Sequence, residues 1–242
     1  MSLRLVVLQP GYLPWAGYFD QLRQADVFVH YDDVQYDKHG WRNRNRIRVP
    51  IQGEGDEGWA WLTVPVRIAG QFGAPIDQVE IDQRTRWADK HWGTLLQHYR
   101  KAAHWKAWAG RLEAIYRRSW RLLVDLDLAL IELLAEGFGL GEKQTVRSSQ
   151  LPVPPGDDPT DRLLRLCRHF GADQYFSGAA ARDYLDVERF AREGIEVEFQ
   201  AFAHPTYDQV YPGFVSHLSA LDLLLNAGPA SGELLRSGSP AR

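Results

Sequence analysis

The sequence predicts an α/β fold: a mainly parallel sheet with helices on both faces, carrying an inserted helical block. Three observations carry this. Two short apolar runs, Leu3 to Leu8 and Val27 to Tyr31, flank a stretch with helix-compatible spacing, as in a βαβ unit. From Trp87 to Phe138 the apolar period becomes helical. Beyond Gln144, strand-like and helical stretches alternate again.

Taken in order, Leu3 to Leu8 is continuous, apolar and β-branched at its middle, as a strand buried on both faces should be. Pro10 and Gly11 end it, and Pro14 holds its predecessor extended, so a helix can start only after that point. Ala16 to Gln24 is that helix, and Asp26 to Tyr31 the second strand. Gln52 to Gly58 reads as a surface loop from its glycines and acids. Trp59 to Val66 and Ile76 to Ile81 are expected as two further strands.

In the helical block, Trp87, His91, Leu95 and Tyr99 recur at steps of four on one face. Ala107 to Arg118 is a second helix, and Leu123 to Phe138, apolar nearly all round, a buried third. Gln144 to Ser148 is a short strand, followed by a Pro-rich link from Leu151 to Gly156. Asp158-Pro159-Thr160-Asp161 has the cap, first-position proline and first-turn acid of a helix start. Leu163, Leu164, Cys167 and Phe170 give that helix a buried face, and Gly171 ends it. Asp173 to Phe176 and Ile195 to Phe199 are strands around a helix at Val187 to Glu193, and Ser216 to Asn226 closes the fold. The organisation expected is one α/β domain over 1–228. Its two α/β parts, 1–82 and 143–200, share one sheet, with the helical block 86–139 between them and a frayed tail over 229–242.

A formal charge of −3 argues against bulk attraction to nucleic acid or anionic membrane, and no nucleic-acid partner is expected. Cys167 stands alone, so an intramolecular disulfide is impossible and a reducing, cytoplasmic setting is expected. No apolar run approaches the ~20 residues of a membrane span, and the chain enters its first strand without signal-peptide architecture. Nine tryptophans are many for this length. Tyr12, Trp15, Tyr18, Tyr36 and Trp41 sit in turn-rich sequence beside polar groups, where they either contact a ligand or cap the core edge.

The turn from Gln9 to Asp20 has the strand–turn–helix layout of phosphate sites, without G-x-G-x-x-G and with no Walker sequence in the chain. Nucleotidyltransferases of similar layout carry H-x-G-H there. This chain has Trp15-Ala16-Gly17-Tyr18, so direct nucleotide transfer is not expected, while a nucleotide or nucleotide-sugar pocket is.

Asp32-Asp33, at a strand end, can act as general base, metal ligand or orienter, or simply close a turn. Alternation sends one of the two into a crevice, with His30 on the side of Asp32. No metal site is expected, since the histidines show no H-E-x-x-H spacing. Arg42, Arg44 and Arg46 alternate with Asn43 and Asn45, as a phosphate or carboxylate clamp would, or as a solvated edge strand. Ser177-Gly178 lacks the G-x-S-x-G context of an acyl-enzyme serine, so a substrate-contacting hydroxyl is expected there.

The strings QPGYLPWAGYFD, ADVFVHYDDVQYDKHGWRNRNRI, WLTVPV, ADQYFSGAAARDYLD and LSALDLLLNAG resemble the WbqC-like protein family in order and spacing, over about Leu5 to Gly228. That resemblance implies a setting in O-antigen and related surface-polysaccharide biosynthesis, with a glycine- or acyl-transferase activity. The positions matching its motifs include Gln9, Pro10, Tyr12, Pro14, Trp15, Gly17, Asp32, Asp33, Gln35, Arg44, Asn45, Ser177, Gly178 and Tyr184.

The expected function is thus a transferase moving an acyl or aminoacyl group onto an amino sugar, with Asp32 or Asp33 as the base. Gln9, Tyr12, Trp15, Tyr18, Gln35, Arg44, Asn45, Ser177 and Tyr184 are the expected substrate contacts, and a nucleotide-sugar or acyl donor is the expected small-molecule partner. The residues single out no cofactor. A non-catalytic nucleotide-sugar or glycan-binding protein is the competing expectation, and a metal-dependent hydrolase a third. Gln9, Tyr12, one of the two aspartates, Arg44, Asn45 and Ser177 should line one cavity if the strand ends converge.

Overall fold

The apolar run at the N-terminus becomes strand β1 (Arg4–Leu8), followed by helix α1 (Ala16–Gln24) and strand β2 (Val27–His30). The structure, a computed structural model, describes residues 2–38, 40–67 and 73–239. β1 and β2 pair in parallel, Leu5 opposite Val27 and Leu8 opposite His30. The pleat then sorts their side chains. Val6 and Phe28 face one core with Phe19 and Leu22 of α1, while Leu5, Val7, Val27 and Val29 face another. A strand that feeds two cores must be apolar at every position, which is why the run is continuous.

The chain next forms an antiparallel pair apart from this sheet, β3 (Arg44–Arg48) with β4 (Trp59–Thr63). β4 stops short of Val66 because Pro65 cannot donate to a ladder. Ile76 to Ile81, expected as a strand, is a 3-10 turn over Ile76–Gln78 and then isolated bridges, Val66 to Ile81 and Glu80 to Leu122. The buried residues Ile76, Val79 and Ile81 are spaced three and then two apart, so the first step is a turn.

Helices α2 (Trp87–Tyr99), α3 (Trp105–Arg117) and α4 (Leu123–Gly137) form the inserted block. The remaining chain adds β5 (Thr145–Arg147), α5 (Pro159–Phe170), β6 (Gln174–Ser177), α6 (Val187–Arg192) and β7 (Glu196–Phe199). The two α/β parts share one sheet of five parallel strands, ordered β5-β2-β1-β6-β7. Helix α5 begins as its sequence dictates. The Asp158 carboxylate accepts from the Asp161 amide at 2.8 Å, and Gly171 ends the helix at φ 65°. Its Leu163, Leu164 and Cys167 cover the second core.

After an irregular stretch come α7 (Ala220–Ala227) and α8 (Ser231–Ser237). α7 starts four residues later than Ser216, since His217 takes φ 57° and Ser219 serves as the cap. The segment expected to fray is helical through Ser237, with Ser231 and Leu235 buried and α8 against α1. Leu234 and Leu235 supply the apolar anchor that a frayed end lacks. The last three residues of that segment lie outside the described ones. Among the described residues no helix is long and apolar enough to cross a membrane.

Candidate functional site

The order β5-β2-β1-β6-β7 places consecutive strands on opposite sides of β1, so connections leave β1 and β6 in opposite directions. Open α/β sheets bind ligands in the crevice this makes at the carboxyl ends of their strands. A cavity of about 320 Å³ lies at the carboxyl end of β1. Its floor is Leu8 and Gln9, one wall is Trp15, Tyr18 and Gln21 of the α1 start, and the facing wall is Asn45 and Arg46 of β3. Trp41, Arg42 and His217 close it.

Local sequence explains how these parts meet. Gly11 carries no side chain because a Cβ there would stand 2.6 Å from the Trp41 carbonyl oxygen. The close approach lets the Tyr12 amide donate to the Arg42 carbonyl at 2.9 Å, and Arg42 Nη1 to the carbonyls of Gln9 and Pro10 at 2.9 and 3.1 Å. Asn45 Nδ2 donates to the Leu13 carbonyl at 2.7 Å, holding a turn in which Leu13 takes φ 47°, a left-handed conformation costly for a leucine. Gly17 is likewise covered, by the Trp15 ring.

His217 arrives from the far end of the chain. The Ser219 amide donates to the Arg46 carbonyl at 2.9 Å and the Ala220 amide to that of Pro14 at 2.8 Å. These bonds set the His217 ring parallel to Trp15, 5.6 Å between centroids.

The walls are cationic and aromatic. Arg42, Arg46 and His217 line the cavity, and among the described residues no carboxylate does. Arg42 is largely enclosed, and burial pulls its guanidinium below the ordinary range. The acid whose charge acts on it most, buried Asp127 of α4, is pushed well above the usual carboxylate range by its own burial, and both its oxygens lack a hydrogen-bond partner. Arg42 forms no ion pair among the described residues, and its Nε is buried without a partner.

Behind the wall, Tyr18 Oη and His30 Nδ1 share a 3.0 Å hydrogen bond. Burial lowers His30 to about 4, against the opposing charge of Asp32, so the imidazole is neutral at physiological pH. Burial also raises the Tyr18 hydroxyl well above its ordinary value.

Of the residues singled out in the sequence, Gln9, Pro14, Trp15, Tyr18, Trp41, Arg42, Asn45 and Arg46 line this cavity. Tyr12 lies beyond the wall and is fully buried, 2.8 Å from His91 Nδ1 and 2.5 Å from Tyr116 Oη. Asp32 is fully buried, its carboxylate accepting from Arg147 Nε at 2.6 Å, from Ser149 N and Oγ at 2.9 Å and from Ser148 Oγ at 3.1 Å. Asp33 accepts from Arg162 Nη2 at 2.5 Å and Ser148 Oγ at 2.6 Å. Ser177 is buried at the end of β6 beside the Tyr175 hydroxyl, on the α5 side of the sheet. Tyr184 is exposed, and Gln35 bridges to Pro75 at the surface. Arg44 lies over the Trp61 ring at 4.5 Å, on the outer face of the β3–β4 pair.

The expected single cavity therefore takes Gln9 and Asn45 and not the others. The strand ends do converge, but the pleat divides them. His30 follows Phe28 to the α1 side, while Ser177 follows Tyr175 to the α5 side, where Arg162 holds Asp33. Gln21 and His217 were missed, the first inside an ordinary helix pattern and the second in a stretch, Ser216 to Asn226, that reads as a closing helix.

The WbqC-like protein family matches residues 9–233. The chain belongs to the WbqC-like protein family. An uncharacterized protein of Mycobacterium tuberculosis (strain ATCC 25618 / H37Rv), Rv1507c, is 35% identical over 235 residues, covering 96% of this WbqC-like chain and 97% of its own. No solved structure matches the chain. Among the described residues of this WbqC-like protein, no three His, Cys, Asp or Glu side chains gather as a metal set would require.

Proposed function

We propose that the cavity holds the anionic donor of a group transferase in glycan-precursor biosynthesis, which passes an acyl or aminoacyl group to an amino sugar. The observation that carries this is the enclosed Arg42 guanidinium on a cavity wall that, among the described residues, has no carboxylate. A buried charge held only by backbone carbonyls, with no counter-ion, is costly, and an anionic ligand would relieve that cost. Arg46 and His217 would add to its binding, and Trp15 offers an indole to a sugar or base.

In this reading the proton acceptor is the Tyr18–His30 pair in place of the aspartates. The amine nitrogen bonds to the acyl carbon as the bond from that carbon to the donor's leaving group breaks. The amine proton passes to Tyr18 Oη while the tyrosine's own proton passes to His30 Nδ1. An imidazole lowered to about 4 holds a proton only briefly, so it returns the proton to Tyr18 Oη, which gives up the one it took from the amine to the leaving group.

The second reading, binding without catalysis, is favoured by one specific fact: the Asp32 and Asp33 carboxylates are taken up by Arg147, Arg162 and the serines at 148 and 149. A thermal-shift screen against nucleotide-sugars, acyl-coenzyme A species and nucleoside triphosphates tests the shared claim. A ligand at a hundredfold its Kd adds about 2.7 kcal/mol of stability. Mass spectrometry of the hits, incubated with amino-sugar acceptors, then separates the readings. An acylated sugar supports transfer, binding without product supports the second, and no shift with any anion removes both.

A further inference from the structure

The cavity opens beside a second feature that its chemistry does not use. On the outer face of the β3–β4 pair, guanidinium and indole groups alternate. Arg44 lies over the Trp61 ring at 4.5 Å, and Arg46 over Trp59 at 4.2 Å, Trp61 at 5.1 Å and Trp41 at 5.4 Å. Trp41 and Trp61 sit 5.2 Å apart and remain 44% and 36% exposed. A fold that needed only a stable hairpin would gain little from placing such large aromatic rings in water. The register explains the ladder: Arg46 faces Trp61 and Arg48 faces Trp59, so Arg44, Arg46 and both indoles project from one side.

We infer that this ladder is an extended subsite for an acidic oligosaccharide, continuing the cavity outward. Trp41 and Arg46 belong to both, so a chain whose end group occupies the cavity would run on along β3 and β4. The Arg46 guanidinium, stacked on the indoles with its Nε buried and without a hydrogen-bond partner, fits the oxygens of a carboxylate or phosphate. The exposed indoles offer flat apolar surface to the C–H faces of pyranose rings. Nucleobases fit less well. The rings are tilted by 44° between Trp41 and Trp61 and by 81° between Trp59 and Trp61, and guanidiniums already cover indole faces a base would need. The inference rests on the proposed cavity ligand only for the direction of the chain, since Arg44, Trp59 and Trp61 of the ladder lie outside the cavity.

The test uses the whole protein and tryptophan fluorescence titrations with galacturonate, its linear hexamer, neutral maltohexaose and a dT hexamer at equal ionic strength. The galacturonate hexamer is expected to bind at least tenfold tighter than the monomer and than maltohexaose. Trp61→Ala and Arg44→Gln, neither on the cavity wall, are expected to erase that gain while leaving the thermal shift given by small cavity ligands. Should Trp61→Ala unfold the protein, Trp61→Leu keeps the apolar cover of the strand and answers the same question. Equal binding of monomer and hexamer overturns the proposal, as does a hexamer that fails to bind or variants that bind like the parent. A dT hexamer that binds as tightly replaces it with a single-strand nucleic-acid surface. Loss of every small-ligand shift with the hexamer gain intact would sink the cavity reading alone.

Discussion

Tyr18 Oη stands 3.0 Å from His30 Nδ1, with the tyrosine on the cavity wall and the imidazole sealed behind it. The proposed transfer uses that hydroxyl, with the neutral nitrogen at its back, as the proton acceptor. Tyr18→Phe removes one oxygen and leaves the ring packed on Phe19 and Phe28. Turnover on whichever donor and acceptor the ligand screen identifies is expected to fall about a hundredfold, with the donor's Kd changed by a few-fold at most. The lost hydrogen bond is expected to cost about 1 kcal/mol of stability. Unchanged turnover in this variant would remove the pair from the mechanism.

Buried neutral histidines also set the response to acid. His30 and His91 are both lowered by burial to about 4, from an ordinary 6.5. Between those values the unfolded chain binds protons that the folded chain refuses, so their contribution is full above 6.5 and is lost as pH falls toward 4. Each is worth roughly 3 kcal/mol over that window. Asp222 acts in the opposite sense. Burial raises it to about 6, so its contribution is full below its ordinary value and is lost as pH rises through 6. Urea midpoints measured from pH 7.5 to 5 should therefore fall on acidification, less steeply in His30→Gln and more steeply in Asp222→Asn. Parallel curves for the parent and His30→Gln would show that the imidazole is not held neutral.

Much of this was legible beforehand, for reasons that lie in particular residues. The pleat forces β1 to be apolar throughout, and the cap, proline and glycine of α5 are local signals, so both could be read without neighbours. Gln9, Trp15, Tyr18 and Asn45 fall within one short segment or beside its turn, so strand-end reasoning found them. The role of Asp32 was not readable. Its partners, Arg147 and Ser149, lie more than a hundred residues away, on the edge strand β5 and just beyond it, with no motif of their own. His217 escaped for the same reason, since only the bonds of Ser219 and Ala220 carry it to the cavity.

That placement of Asp32 sets its own expectation. Its carboxylate accepts from Arg147 and from Ser149, so Asp32→Ala leaves Arg147 only its 3.5 Å contact with Asp125 and strands the Ser149 donors. Losing one partner of a buried pair costs about 3–5 kcal/mol, and Asp32→Asn, which keeps an acceptor, should cost clearly less. Chemical unfolding measures both. If Asp32→Ala keeps its stability but loses every ligand response, the carboxylate belongs to a binding site after all.

Gly11 offers the sharpest separation of backbone from chemistry. A methyl group there would meet the Trp41 carbonyl oxygen at 2.6 Å, and that oxygen cannot retreat easily. The Tyr12 amide already holds the next carbonyl at 2.9 Å, and Arg42 Nη1 grips the carbonyls of Gln9 and Pro10 from the other side. Gly11→Ala is therefore expected to push the Trp41–Arg42 segment off the β1 turn, at a cost of about 2 kcal/mol. The cavity would widen between Arg42 and Gln9, so ligand response should weaken with it. Gly93 in α2 is the matched control, because a Cβ there meets nothing within 4 Å. Gly93→Ala is expected to raise stability by up to about 1 kcal/mol and leave ligand response alone. Thermal melts of the two variants, with and without the best ligand, decide the matter. A Gly11→Ala protein as stable and as responsive as the parent would mean that the close approach of the two turns does not shape the site.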